Sequence, residues 1–260
     1  MSNYSEPVPL TTIADLLTLL TREPGRPRIT WYGDGGERVE LSGAVLENWV
    51  NKTANLLVEE FDAGPGTRIL VDLPTHWRSV VWALSTWRAG ACVVHGDTSR
   101  ADVVVTDRPA QHAGARDVVA VSLPALARRF DGTLPAGALD AATAVMTYGD
   151  TFGWAPPLDP AATALDDDGH KVPHGALLAT LARGDGPDRE RVLLAVDGRE
   201  PTELLGDVLT VLVHDGSAVL VSAATSRLLR ADRPRRERLA TSERITADTL
   251  DAVDGSTSFR

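Results

Sequence analysis

The sequence predicts an α/β fold, a doubly wound parallel sheet with flanking helices and an N-terminal β-hairpin. Three observations carry this. Short apolar runs that read as buried strands alternate with longer stretches of helical periodicity, the pattern that places helices on both faces of a parallel sheet. Near the N-terminus, Gly33-Asp34-Gly35-Gly36 separates two strand-like segments at hairpin spacing. The 260 residues, 43% hydrophobic and 24% charged, give ample length for a buried core.

The elements follow in order. Thr11 and Thr12 precede Ile13, Leu16, Leu17 and Leu20, a helical repeat that Pro24 and Gly25 stop. Arg28 to Tyr32 and Arg38 to Leu41 form the hairpin, and Ser42 is placed to cap the next helix. In that helix Val45, Trp49, Thr53, Leu56, Leu57 and Phe61 make an apolar stripe ended by Gly64-Pro65-Gly66. Arg68 to Leu73 reads as a buried strand, Trp77 to Ala89 as an amphipathic helix closed by Gly90, and Ala91 to His95 and Ala101 to Thr106 as further strands. Val118 to Val121 is a fourth strand of this series, followed by a short helix from Leu123 to Phe130. Asp131 to Pro160, rich in Gly, Pro, Ala and Asp, reads as a linker. Beyond it come a strand at Ala161 to Leu165, a helix at Gly175 to Arg183, a strand at Arg191 to Val196, a helix at Glu203 to Val213 and a strand at Ser217 to Val221. The α/β domain is thus expected over 1–226, with a sub-boundary in 131–160, and 227–260 as a polar, fraying, arginine-rich tail.

Composition narrows the function. A net charge of −10 argues against nucleic acid, whose phosphates demand a basic footprint. The basic run from Arg227 to Arg238 reads as a solvated helix face or linker. No stretch approaches the ~20 apolar residues of a membrane helix, and Met1 to Leu10 lacks the pattern of a secretory signal. Cys92, the single cysteine, excludes an internal disulfide and suits a reducing compartment, so the expected location is the cytoplasm. In a strand between Ala91 and Val93 it reads as buried and inert. Trp77, Trp82 and Trp87 are spread around their helix, which favours packing over a ligand cage.

A set of short motifs adds a resemblance. In order they are Ile29-Thr30-Trp31, Val39-Glu40-Leu41-Ser42, Asn51-Lys52-Thr53-Ala54-Asn55-Leu56-Leu57, Gly64-Pro65-Gly66-Thr67-Arg68-Ile69, Leu73-Pro74, Trp87-Arg88-Ala89-Gly90-Ala91 and Val93-Val94. Together with Ala101 to Asp107 they resemble the opening of the AMP-forming acyl-CoA synthetase, nonribosomal adenylation-domain and luciferase superfamily, over roughly the first half of the chain. The resemblance implies part of the large domain of an acyl-adenylating enzyme. None of the matched residues is catalytic in that family.

The family's phosphate loop reads roughly Thr-Ser-Gly-Thr-Thr-Gly-x-Pro-Lys-Gly before a helix; small residues let the backbone approach the triphosphate and the lysine neutralises charge. The best-placed segment here is Asp166-Asp167-Asp168-Gly169-His170-Lys171-Val172-Pro173-His174-Gly175. Gly169, Lys171, Pro173, His174 and Gly175 are its vestigial positions, with His174 where the family has lysine and three aspartates where it has Thr, Ser and Gly. Like charges at ~4 Å repel by ~1 kcal/mol in water and more when partly buried, so this loop is expected to reject phosphate. A full ligase also continues for a few hundred residues carrying the adenine segment, the ribose-binding aspartate and a catalytic lysine. Tyr148-Gly149-Asp150-Thr151 has the look of the adenine segment but precedes the loop, in the wrong order.

The expected metal set is none, because Pro173 keeps His170 and His174 off one helical face and the acidic spacing misses a calcium loop. The expected cofactor is likewise none, ATP and AMP being disfavoured. The function expected is a non-catalytic remnant of an acyl-adenylating enzyme, acting with a protein partner or as a homo-oligomer. The partner would cover the apolar strands and helix between Val192 and Val221. The alternative is a ligase component or sensor that retains AMP, ATP or acyl-CoA binding and is completed by another chain. Were it catalytic, its class would be an AMP-forming acid–thiol ligase.

Overall fold

The structure is a computed structural model that describes residues 10–96, 101–153, 156–181 and 188–251. The chain opens with α1 (Ile13–Leu20), started by Thr12, whose hydroxyl accepts the Asp15 amide while the Asp15 carboxylate accepts the Thr12 amide. β1 (Pro27–Tyr32) and β2 (Arg38–Ser42) form the hairpin, and the Ser42 hydroxyl caps α2 (Gly43–Phe61) by accepting the Val45 amide. β3 (Arg68–Asp72), α3 (Trp77–Arg88), β4 (Cys92–His95), β5 (Val103–Thr106) and β6 (Asp117–Ala120) follow. The linker region supplies only β7 (Leu139–Asp140) and one turn of helix, α4 (Ala141–Ala144). β8 (Thr163–Asp167), β9 (His170–Pro173) and α5 (Leu177–Leu181) come next. β10 (Arg191–Ala195), α6 (Pro201–Val213), β11 (Ser217–Val221), α7 (Ala223–Ala231), α8 (Arg233–Ser242) and β12 (Ala247–Asp248) complete the described chain.

The fold class is as expected, but the strands divide between two sheets. One has the order β7-β6-β5-β3-β4-β8-β9, parallel except for β9; the other has the order β12-β10-β11-β1-β2, parallel except for β2. The hairpin is therefore not an appendage: β1 pairs in parallel with β11 from the far end of the sequence, Ile29 opposite Ala218. Helix α3 packs against β3 and β4 of the first sheet and β1 of the second. That position explains its composition. All its residues from Trp77 to Trp87 are buried, so the tryptophans need no single stripe and the helix is not amphipathic.

Three further expectations are corrected. On α2, Thr53, Leu56 and Leu57 of the expected stripe are buried, but Val45 is exposed, Trp49 and Phe61 are only partly buried, and Leu46, Val50 and Ala54 widen the buried face. Leu123 to Phe130 is not a helix but a looped segment turning at Pro124. Its Ala125 amide is fixed by the Glu37 carboxylate at 3.0 Å, a partner from the hairpin that local periodicity cannot reveal. The arginine-rich tail does not fray up to residue 251. α7 and α8 lie on the second sheet, where Leu229 and Leu250 pack with Leu193, Ala195, Val219 and Val221, and β12 extends that sheet. The apolar strands expected to need a partner are thus covered by the chain itself, and so is α6. No helix among the described residues is long and apolar enough to cross a membrane.

Candidate functional site

The segment that stands where a phosphate loop was expected is a tight hairpin at the edge of the seven-stranded sheet. β8 pairs with β4 in parallel, Asp166 beside Val94 and Asp167 beside His95, and β9 returns antiparallel with His170 opposite Asp167. Only Asp168 and Gly169 make the turn, at φ 48° and 88°. Two residues at positive φ suit the right-handed twist of the strands, and glycine and aspartate tolerate that region best.

The three carboxylates have different surroundings. Asp166 is buried; its Oδ2 lies 3.0 Å from Nη1 of Arg68 on β3, and its Oδ1 accepts the Gly169 amide at 3.0 Å. It looks into the sheet and closes the turn. Asp167 is half-buried beside His95. Asp168 donates its amide to the His95 carbonyl at 3.3 Å, and its carboxylate covers Gly96, where a Cβ would meet Oδ1 at 1.6 Å. Its φ of 81° favours glycine at Gly96; a side chain there would also have to displace the exposed Asp168 carboxylate.

Of the vestigial positions, Gly169 is in the turn, and Lys171 and Pro173 lie exposed on the edge strand. His174 points the other way. It is buried under the turn that follows α3, with Nε2 3.1 Å from the Gly90 carbonyl, and burial holds its imidazole neutral by lowering its pKa. Gly175 donates its amide to the Pro160 carbonyl at 2.9 Å and is packed against Pro160. The hairpin thus brings Gly169 and Lys171 to one edge but sends His174 into the core. Among the described residues no group of three or more His, Cys, Asp or Glu is placed to hold a metal ion.

A second polar cluster lies at the carboxyl ends of the strands, where β3 is flanked by β4 and β5 and the chain order reverses. The Asp72 carboxylate accepts from Arg108 at 2.8 Å and from Thr106 at 3.2 Å, with His112 Nε2 at 2.8 Å. Burial raises its pKa, and the His112, Arg108 and Thr106 contacts more than reverse this. Beside this cluster, at the end of β4, His95 has a buried Nε2 with no hydrogen-bond partner among the described residues. None of these residues stood out in the sequence, because each pair is joined only by sheet order. Asp72 could have been found as the one charge ending the apolar run Ile69 to Val71.

The remaining sequence features are structural. Asn51, Lys52 and Asn55 on α2 strap down the loop with the adenine-like tetrapeptide: Lys52 Nζ donates to the Tyr148 carbonyl at 2.6 Å, Asn51 to Asp150 at 3.0 Å and Asn55 to Gly149 at 3.0 Å. Cys92 is buried, and burial pushes its thiol up to about 11, well away from nucleophilic use at neutral pH. The turn at Asp197-Gly198 forms, but Asp197 pairs with Arg230 and the start of α6 is closed by the reciprocal Glu200–Glu203 box, which leaves no open anion site.

No family model matches the chain. Among solved structures, an acyl-CoA synthetase from Brucella canis superposes with a TM-score of 0.61 at 19% identity, over 89% of this chain and 51% of its own. The acetoacetyl-CoA synthetase from Streptomyces lividans gives 0.63 at 16% identity, over 81% and 38%. The fatty acid AMP ligase from Legionella pneumophila gives 0.63 at 14%, over 95% and 45%. These likenesses establish a shared fold, and the chain spans about half or less of each of those proteins. A curated protein from Mycobacterium tuberculosis, described as a TIGR03089 family protein, is 35% identical over 214 residues, 78% of this chain and 86% of its own length. With the fold of part of an acyl-adenylating enzyme and that degree of identity, the chain belongs to the TIGR03089 family.

Proposed function

We propose that this chain is a catalytically silent relative of the acyl-adenylating enzymes, one that acts by binding and does not form acyl-adenylates. The observation that carries the reading is the Asp166–Gly169 turn. A phosphate cradle needs several successive amides open to the ligand and room for the backbone to approach it. Here the Gly169 amide is taken by Asp166, the Asp168 amide by the His95 carbonyl, and the space over Gly96 is filled by a carboxylate. His174, where the family has lysine, is buried and neutral. No cation therefore stands at that position to meet a phosphate, and Asp167 and Asp168 add negative charge there.

The reading does not depend on the apolar face of Leu193, Ala195, Val219 and Val221, which α7, α8 and the chain to Leu250 cover. The test is carboxylate-dependent pyrophosphate exchange with Mg-ATP, expected at the level of an empty-vector control. A thermal-shift series with ATP, AMP, CoA and acyl-CoAs extends it, because any specific ligand raises the Tm by mass action. Exchange above control with any carboxylic acid defeats the proposal; a Tm rise with ATP and AMP supports the alternative of a nucleotide-binding component.

A further inference from the structure

Far from the hairpin, α2, α3 and the segment after β6 enclose a cavity of about 420 Å³, within the size range of small-molecule sites. Its wall is aromatic: Trp49, Trp77 and Trp82 line it, and Trp49 and Trp77 meet edge to face with ring centroids 5.9 Å apart.

Two cations line the cavity: Arg128, which is exposed, and Arg78 on the inner wall. Arg78 is 8% exposed, and its guanidinium lies 4.4 Å from the Trp77 ring centroid and 5.5 Å from that of Trp49. Nε donates to the Leu123 carbonyl and Nη2 to the Pro124 carbonyl, both at 3.2 Å, and Nη1 has no acceptor among the described residues. No carboxylate among the described residues forms an ion pair with it. The charge that acts on it, Glu37, is committed to the Trp31 indole and the Ala125 amide. Burial lowers the Arg78 pKa to about 10, and the smaller opposing effect of Glu37 does not reverse this. A buried cation in an aromatic wall is costly unless an anion meets it.

Two further observations point to a ligand. Trp77, which lines the same cavity, has a buried indole Nε1 with no hydrogen-bond partner among the described residues. Two apolar residues that line it are bare, Leu126 at 93% and Met146 at 60% exposed, beside the exposed Arg128; Val45 on α2, 41% exposed, does not line the cavity. The described chain has one other large exposed hydrophobic, Leu228. Such residues gathered at one mouth mark a site.

The geometry points to this cavity as a binding site for a small aromatic anion, its ring among Trp49, Trp77 and Trp82 and its oxyanion on Arg78. Flat rings fit an indole wall, and a guanidinium prefers a planar or forked oxyanion.

The test is calorimetry on the full chain with naphthalenesulfonate and its uncharged twin, naphthalenesulfonamide. The sulfonate should bind saturably and about tenfold tighter than the sulfonamide. Naphthalenecarboxylate should behave as the sulfonate does, since the shared chemistry is the oxyanion. Arg78→Met, which keeps the apolar stem, should erase the preference. Should that variant fail to fold, Leu126→Glu decides: on an exposed rim it leaves the fold intact and should weaken the sulfonate several-fold more than the sulfonamide. Equal affinities for the twins, no saturable binding by either anion, or a Leu126→Glu variant that binds as the wild type does would each overturn the inference.

Discussion

The Asp166 carboxylate on β8 reaches across β4 to the Arg68 guanidinium on β3, at 3.0 Å, and with its second oxygen closes the Asp168-Gly169 turn. One side chain thus joins the sheet interior to the tip of the hairpin. The charge that a phosphate would meet is not this one but that of Asp167 and Asp168. Removing Asp166 takes a buried carboxylate from the Arg68 guanidinium and opens the turn, whereas removing Asp167 does neither.

Asp166→Ala should therefore cost on the order of 2–3 kcal/mol of stability, and Asp167→Ala less than about 0.5 kcal/mol. Urea unfolding curves of the two variants and the wild type give the comparison. Equal midpoints for the two variants would show that the Arg68 pair has no special role in closing the turn.

Arg28 deserves the same test, for it is a fully buried cation in the second sheet. Its Nε and Nη2 donate to the Leu20 carbonyl at the end of α1, at 3.2 and 3.0 Å, and Nη1 reaches the Asp215 carbonyl at 2.8 Å and the Asp215 carboxylate at 2.7 Å. It ties α1, β1 and the turn before β11 together. Arg28→Met should cost about 3 kcal/mol or more, and Arg28→Lys should recover little, because a point charge cannot serve two carbonyls and a carboxylate in a fixed fork. A lysine variant as stable as the wild type would reduce Arg28 to a simple ion pair.

Local signals were legible in the sequence and distant ones were not. Thr12 and Ser42 as caps, the Gly33–Gly36 turn and the strand runs are decided within a few residues, and the structure has them in place. Leu123 to Phe130 has helical spacing, but Glu37 and Arg78 seize its backbone from other elements. The tail reads as solvated because its basic run, Arg227 to Arg238, has six arginines to three apolar residues; Leu229 and Leu250 do the packing, while Arg230 and Arg236 pair with Asp197 and Asp248. At the hairpin, the position was legible from flanking pattern and the wiring was not, since Asp166 and Arg68 are 98 residues apart.

If the tail is the cover of the second sheet, a chain ended after Ser222 should expose Leu193, Ala195, Val219 and Val221 together. At ~25 cal/mol per Å² such a face drives association. The shortened chain should bind a hydrophobic dye and elute as larger species, and Leu229→Asp in the full chain should do so more weakly. A shortened chain that stays monomeric and dye-free would mean that the outer face of this sheet needs no cover.

Stability should also fall in mild acid through the buried histidines. His76 caps α3, its Nδ1 accepting the Arg78 amide at 3.2 Å; burial, and then the Arg78 charge, lower its pKa from 6.5 to about 3. Burial lowers His95 and His174 as well. The unfolded chain therefore binds protons near pH 6.5 that the folded chain refuses, so stability is complete above that pH and declines as pH falls toward the folded values. Glu243 is the next to act. Burial raises its pKa, but Tyr32, Arg191 and Arg38 bring it below 4.5, so its contribution is lost only at lower pH. Between about pH 6.5 and pH 5 the loss thus belongs to histidine, and His76 alone accounts for about 2 kcal/mol of it. Urea midpoints at about pH 7.5 and pH 5 measure the drop. His76→Asn, which can still cap the helix, should shrink that drop by the His76 share while leaving the fold at neutral pH. An unchanged drop in this variant would place the acid sensitivity elsewhere.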